Sequence, residues 1–173
     1  MASLMENLVQ ALDKECTKYE KLLGLSSRKT AIIVSGDLKA LAEITDEEQC
    51  VIGEIQRLDK ERQVAMENIA SVLNTDVNSL KLTDLIMILE KRPVDQKNLA
   101  VQRDRMVGVV ENVRRVNSQN QELLLSSLEM VKFEMNIIQS SKRAPQTANY
   151  SRAADTTGDV IGYYTSGGFD ARQ

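Results

Sequence analysis

Two cysteines, a supply of carboxylates and a pair of amides are the residues of this chain that could do chemistry. Cys16 and Cys50 have no CxxC spacing, and the chain contains no histidine, so a tetrahedral metal site lacks its ligands. Both cysteines read as small apolar residues on helix faces in a reducing compartment. The absence of histidine also removes the commonest general base. No nucleophile elbow, phosphate-cradling glycine loop or dinucleotide fingerprint is present, and Gly167-Gly168 has no strand before it and no helix after it. The carboxylates fall on solvent-facing helical positions with no sign of pairing in a cleft. Neither catalysis nor a cofactor is expected. That leaves Asn117 and Asn120, spaced i, i+3 inside an apolar stripe. An amide there can fix the register of packed helices at some cost in stability, or hydrogen-bond a partner's backbone. Spacing alone leaves both roles open.

The helix that must carry these amides spans about residues 95–138. Leu99, Met106, Val109, Val113, Val116, Leu124, Leu128, Val131, Met135 and Ile138 recur at helical spacing, with Asn117 and Asn120 placed between Val113 and Leu124. At 1.5 Å per residue such a helix runs roughly 65 Å, far longer than an ordinary globular domain needs.

Two earlier helices pair as a hairpin. The first covers residues 2–34, with Met5, Leu8, Leu12, Tyr19, Leu22 and Ile33 on its seam and Ser26 as a polar lapse. In Ser35-Gly36-Asp37, Gly36 can close that helix in a left-handed conformation and Asp37 can cap the next. So short a connection makes the two helices antiparallel neighbours. The second covers residues 38–73, with Leu41, Ile44, Val51, Ile55, Leu58, Ala65, Ile69 and Val72 on its stripe. Glu43, Glu47, Glu54, Lys60, Glu61 and Arg62 form the opposite, solvated face. After the break at Asn74-Thr75-Asp76, residues 80–89 read as a short capped helix, since no second strand exists to pair with them. Pro93 ends it.

Composition agrees with a helical bundle. Aromatics are 3% and tryptophan is absent, whereas hydrophobics reach 42%, mostly the aliphatic side chains and methionine that bundles favour. A net charge of −3 without a basic face argues against nucleic acid. Residues 1–10 lack the pattern of a signal peptide, and no run approaches the ~20 apolar residues of a membrane span. The cytoplasm is the expected compartment. From Lys142 the chain is small, polar and aperiodic, a composition expected to be disordered when free. Two units follow: a helical domain over 1–141 and a flexible tail over 142–173. Four of the six aromatics nevertheless lie in that tail, at Tyr150, Tyr163, Tyr164 and Phe169. Tyr163, Tyr164 and Phe169 are candidate anchors of a short linear motif.

The residues resemble the FlgN-like family of flagellar export chaperones over nearly all of the helical part. The likeness rests on the Leu-rich opening helix, the Ser-Gly-Asp-Leu-x-x-Leu turn at 35–41 and the Glu-rich second helix. Most telling is Val116-Asn117-Ser118-Gln119-Asn120-Gln121-Glu122-Leu123-Leu124-Leu125-Ser126-Ser127-Leu128, similar to the family's Asn-x-x-Asn-x-x-Leu-Leu-x-x-Ser-Leu segment. Gly168-Phe169-Asp170-Ala171-Arg172 is similar to the aromatic-Asp-Ala ending of some members. The resemblance implies a cytoplasmic chaperone that binds hook–filament junction (hook-associated) proteins, shields their terminal helices and delivers them to the export gate. It implies a monomer or weak dimer with the client on the C-terminal part, here Asn117, Asn120, Leu123, Leu124, Leu128, Val131, Met135 and Ile138. In related chaperones a C-terminal tyrosine is associated with gate docking.

The expected fold is therefore all-α: three long antiparallel helices, a short extra helix and a tail. A helix-in-groove mode suits it, because a three-helix arm leaves one apolar flank free. The same stripes also fit a structural coiled-coil protein that self-associates, or an adaptor that sequesters a regulatory partner.

Overall fold

The computed structural model describes residues 2–142; the tail and its aromatics Tyr150, Tyr163, Tyr164 and Phe169 lie outside the described residues. The chain folds as α1 (Ala2–Ser35), α2 (Leu38–Leu73), the short α3 (Leu82–Ile88), a 3-10 turn (Leu89–Lys91) and α4 (Pro93–Lys142). No strand occurs among the described residues.

Each boundary has a local cause. Gly36 takes a φ of 70°, a region glycine enters without steric cost, and its N–H donates to the carbonyl oxygens of Ile32 and Ile33 at 3.1 and 3.2 Å. Asp37 then caps α2, accepting from the Ala40 N–H at 3.0 Å. Asn74, left-handed with φ 54°, closes α2, as asparagine can where its short amide offsets the strain. At α3 the Asp84 carboxylate accepts from the Lys81 N–H at 3.1 Å. The short segment ends at Lys91, before Pro93 as expected, and Pro93 is itself the first residue of α4. Proline suits that position because its missing N–H would have had no helical partner.

Cross-helix partners give the directions. Moving up α1, Glu15 meets Arg62 and Ser26 meets Glu48 on α2, so those numbers fall. On α4 the partners rise, from Arg105 at Asp13 to Asn120 at Thr30. Consecutive long helices are thus antiparallel, and α4 runs the same way as α1. The middle helix is α1: it packs along both α2 and α4, whose backbones do not approach within 8 Å of each other.

The interior forms two clusters. Near the base, Met5, Leu8 and Leu12 of α1 meet Ile69 of α2, Leu85 and Leu89 below, and Leu99 of α4. Leu8, Ile69 and Leu99 are wholly shielded from solvent, each burial stabilising by roughly 1.5–3 kcal/mol. Higher up, Leu22 and Leu25 pack with Ile44, Val51, Ile55 and Val113. Between the clusters lies Glu15, buried and bound by Arg62 Nε at 3.0 Å. Arg62 therefore does not belong to the purely solvated face expected of it. Two members of the expected α2 stripe are also displaced: Leu58 is only half-buried and Val72 is 55% exposed. Met66 and Ala70, which that stripe left out, are buried beside Ile55, Ala65 and Ile69.

Candidate functional site: the free end of α4

The helices differ in length, and that difference makes the site. With 34 residues α1 is about 51 Å long, while α4 with 50 residues is about 75 Å. They start near the same end, so α4 overshoots the hairpin tip at Gly36. The last ties between them lie just below that tip. Thr30 Oγ1 donates to Asn120 Oδ1 at 2.6 Å, and Asn120 Nδ2 donates to the Ser26 carbonyl oxygen at 2.8 Å. Ser26 Oγ in turn donates to Glu48 Oε1 at 2.7 Å, and Lys29 Nζ reaches Glu48 Oε2 at 2.8 Å. One polar network therefore joins all three long helices. Lower down, Arg105 clasps Glu20 through Nε at 2.8 Å and Asp13 through Nη1 at 2.6 Å.

Above the network the packing stops. Leu123 is half-buried, and every residue from Leu124 to Lys142 is exposed, a projecting length of about 27 Å. The exposed side chains are strongly apolar: Leu124 38%, Leu128 50%, Val131 50%, Met135 52% and Ile138 52%, together with Leu125, Met130, Phe133 and Ile137. Monomeric proteins rarely leave so much contiguous apolar surface uncovered, and where they do it marks a binding face. At the base of the projection a cleft of about 350 Å³ opens between helix and hairpin tip. Ile32, Val34, Leu38 and Leu41 line it on one side, and Leu124, Met130 and Val131 on the other. The cleft is therefore apolar, with Ser127 and Glu134 on its rim.

The two asparagines part company. Asn120 is 4% exposed with its amide committed to α1, so it serves register. Asn117 is exposed, a correction to the shared face expected for the pair. A step of three residues turns the helix by about 300°, enough to carry Asn117 away from the α1 interface once Asn120 is centred on it. Ser26 was visible in the sequence only as a lapse in an apolar seam. Its partner Glu48 carried no signal that separates it from the solvated glutamates around it. Met130, Phe133 and Ile137 lay outside the stripe that the periodicity picked out.

No group of three or more cysteine or carboxylate side chains among the described residues is placed to hold a metal ion. Cys16 and Cys50 are free thiols, the first buried and the second exposed. Burial pushes the Cys16 thiol above its usual range, which makes it a weaker nucleophile at neutral pH. No helix among the described residues is long and apolar enough to cross a membrane.

The described part is thus a helical bundle whose longest helix carries an exposed apolar stripe past its neighbours. The FlgN protein family matches residues 1–158, so this chain belongs to the FlgN family of flagellar export chaperones. Comparison with curated proteins and with solved structures gives no match.

Proposed function

We propose that this chain is a cytoplasmic export chaperone whose clients are hook–filament junction proteins, and that it holds a client's terminal helix on the free end of α4. The observation that carries this reading is the uncovered stripe Leu124, Leu128, Val131, Met135 and Ile138. That stripe continues the side of α4 which, lower down, faces α1 through Leu99, Val109 and Val113. Past Ser35 no described helix continues the line of α1. An amphipathic client helix laid there would abut Val34 and Leu38 at the hairpin tip and extend α1 end to end, with Leu123 at its floor and Asn117 at its edge. This is helix-in-groove recognition, in which apolar anchors at helical spacing supply the affinity. A client so covered cannot pair its terminal helix with another copy before export. Tyr163, Tyr164 and Phe169 are proposed as the separate point at which the export gate reads the loaded chaperone.

The test is capture of a purified hook–filament junction protein by the Leu124→Ala and Val131→Ala variants. Truncating such anchors should weaken binding by about one to three decades, with helix content unchanged because neither side chain is buried in the free protein. Parent-like affinity in both variants would place the client elsewhere.

A further inference from the structure

The cleft between the hairpin tip and α4 has an apolar wall on each side and a polar rim. Val34 and Leu38 stand on the tip, 72% and 79% exposed, opposite Leu124, Met130 and Val131. Ser127 and Glu134 place a hydroxyl and a carboxylate at the rim. At about 350 Å³ the cleft takes a few side chains, whereas a helix with its side chains is about 10–12 Å across. Such a site suits aromatic side chains with a polar tip, the ring against the apolar walls and the hydroxyl at the rim.

The chain itself carries a segment of that kind. Between residues 143 and 173 leucine and methionine are absent, and the single valine and single isoleucine are Val160 and Ile161. They run directly into Gly162-Tyr163-Tyr164, so four large apolar or aromatic side chains fall within five residues. Tyr150 and Phe169 stand alone among small and polar neighbours. The α4 wall of the cleft, from Leu124 to Glu134, lies roughly 12–27 Å back from Lys142 along the helix. About twenty residues join Lys142 to the segment, and a spacer of that length has a root-mean-square span of roughly 22–27 Å. Spacer and distance match, the condition under which a tether raises local concentration most, into the millimolar range. A contact too weak to hold a separate partner is therefore populated here.

We propose that Val160, Ile161, Tyr163 and Tyr164 of this chain occupy the cleft between the hairpin tip and α4 until a client displaces them. Leu124 and Val131 belong both to the cleft and to the stripe offered to a client helix, so the two occupants exclude each other. The displacement half rests on the chaperone reading above; the docking half does not. Its consequence is that the export gate can read Tyr163 and Tyr164 only on a loaded chaperone.

The test compares the full chain with its double variant Tyr163→Ser, Tyr164→Ser, which alters no residue of the described helices. Rings seated in the cleft should shift the methyl resonances of Val34, Leu38, Leu124 and Val131 in the parent's NMR spectrum, and the variant should lose those shifts. Identical methyl spectra overturn the docking. Shifts that fade on dilution overturn it too, and assign the segment to the cleft of a second copy. A purified hook–filament junction protein should bind the variant about threefold to tenfold more tightly, as when the open cleft is about a third to a tenth populated in the parent. Equal or weaker binding by the variant, with the shifts present in the parent, overturns the displacement. If neither chain binds the junction protein while the shifts are present, the chaperone reading fails and the docking stands.

Discussion

Asn120 of α4 donates its amide hydrogen to the carbonyl oxygen of Ser26 in α1 at 2.8 Å, across 94 residues of sequence. The same amide accepts from Thr30 at 2.6 Å, so one buried side chain sets how far α4 slides along α1. Asn120→Ala should therefore cost about 1–3 kcal/mol, the usual cost of stranding buried hydrogen-bonding groups. Chemical denaturation of the variant measures it. A double-mutant cycle with Thr30→Val should show non-additivity, and strictly additive losses would mean that the contact is incidental.

Glu15 gives the fold an unusual response to acid. Burial raises its carboxyl above the ordinary 4.5, with Arg62 opposing the shift. Between 4.5 and that raised value the folded chain keeps a proton that the unfolded chain has lost. Stability from this group accordingly rises as pH falls through its folded value, and levels off below 4.5. Glu20 and Glu54 act in the reverse sense. Hydrogen bonds from Arg105 and Lys18 lower their carboxyls, so their contribution is present above 4.5 and lost as pH falls through their folded values. The difference in unfolding free energy between Glu15→Gln and the parent should shift as pH falls through the folded value of Glu15 towards 4.5. A difference that stays flat over that window would show Glu15 to be unperturbed.

Depth of burial should grade the aliphatic truncations. Ile69 is wholly shielded in the lower cluster, and Ile69→Ala should cost about 2–5 kcal/mol. Leu58 lies half-exposed, so Leu58→Ala should cost less than half as much. Thermal melts of the two variants settle the order.

Gly24 lies in the middle of α1 with nothing within 4 Å of where a β-carbon would stand. Alanine fits there and favours helix by about 1 kcal/mol. Gly24→Ala should raise the melting temperature by several degrees without changing client capture. A lower melting temperature would mean that the site needs its glycine for a reason packing does not reveal.

Most of this architecture was legible in the sequence, because helical periodicity and end signals are local. Residues 38–73 emerge with the bounds read from the stripe, and α1 ends one residue beyond the expected 34. Gly36, Asp37 and Asn74 act where their types say they should. What stayed illegible is pairwise. A glutamate such as Glu48 is buried only because Ser26 and Lys29 stand opposite it, and no pattern within α2 encodes that. Likewise Asn117 and Asn120 are alike in sequence, and only the line of contact with α1 separates them. The candidate face was legible as apolar spacing. That it projects free depends on where α1 stops relative to α4, a comparison between two distant segments.

The central place of α1 also sets an order of events during synthesis. Its ties to α2 span 19 to 47 residues, whereas those to α4 span 85 to 94. The hairpin can close as soon as α2 has left the ribosome, but the α4-facing side of α1 must wait for the rest of the chain. At translation rates of roughly 5–20 residues per second that interval is on the order of ten seconds. Throughout it, one apolar flank of a finished hairpin stands open to any passing amphipathic helix. That flank is covered as α4 emerges, and Asn120, the last residue tied to α1, completes the cover.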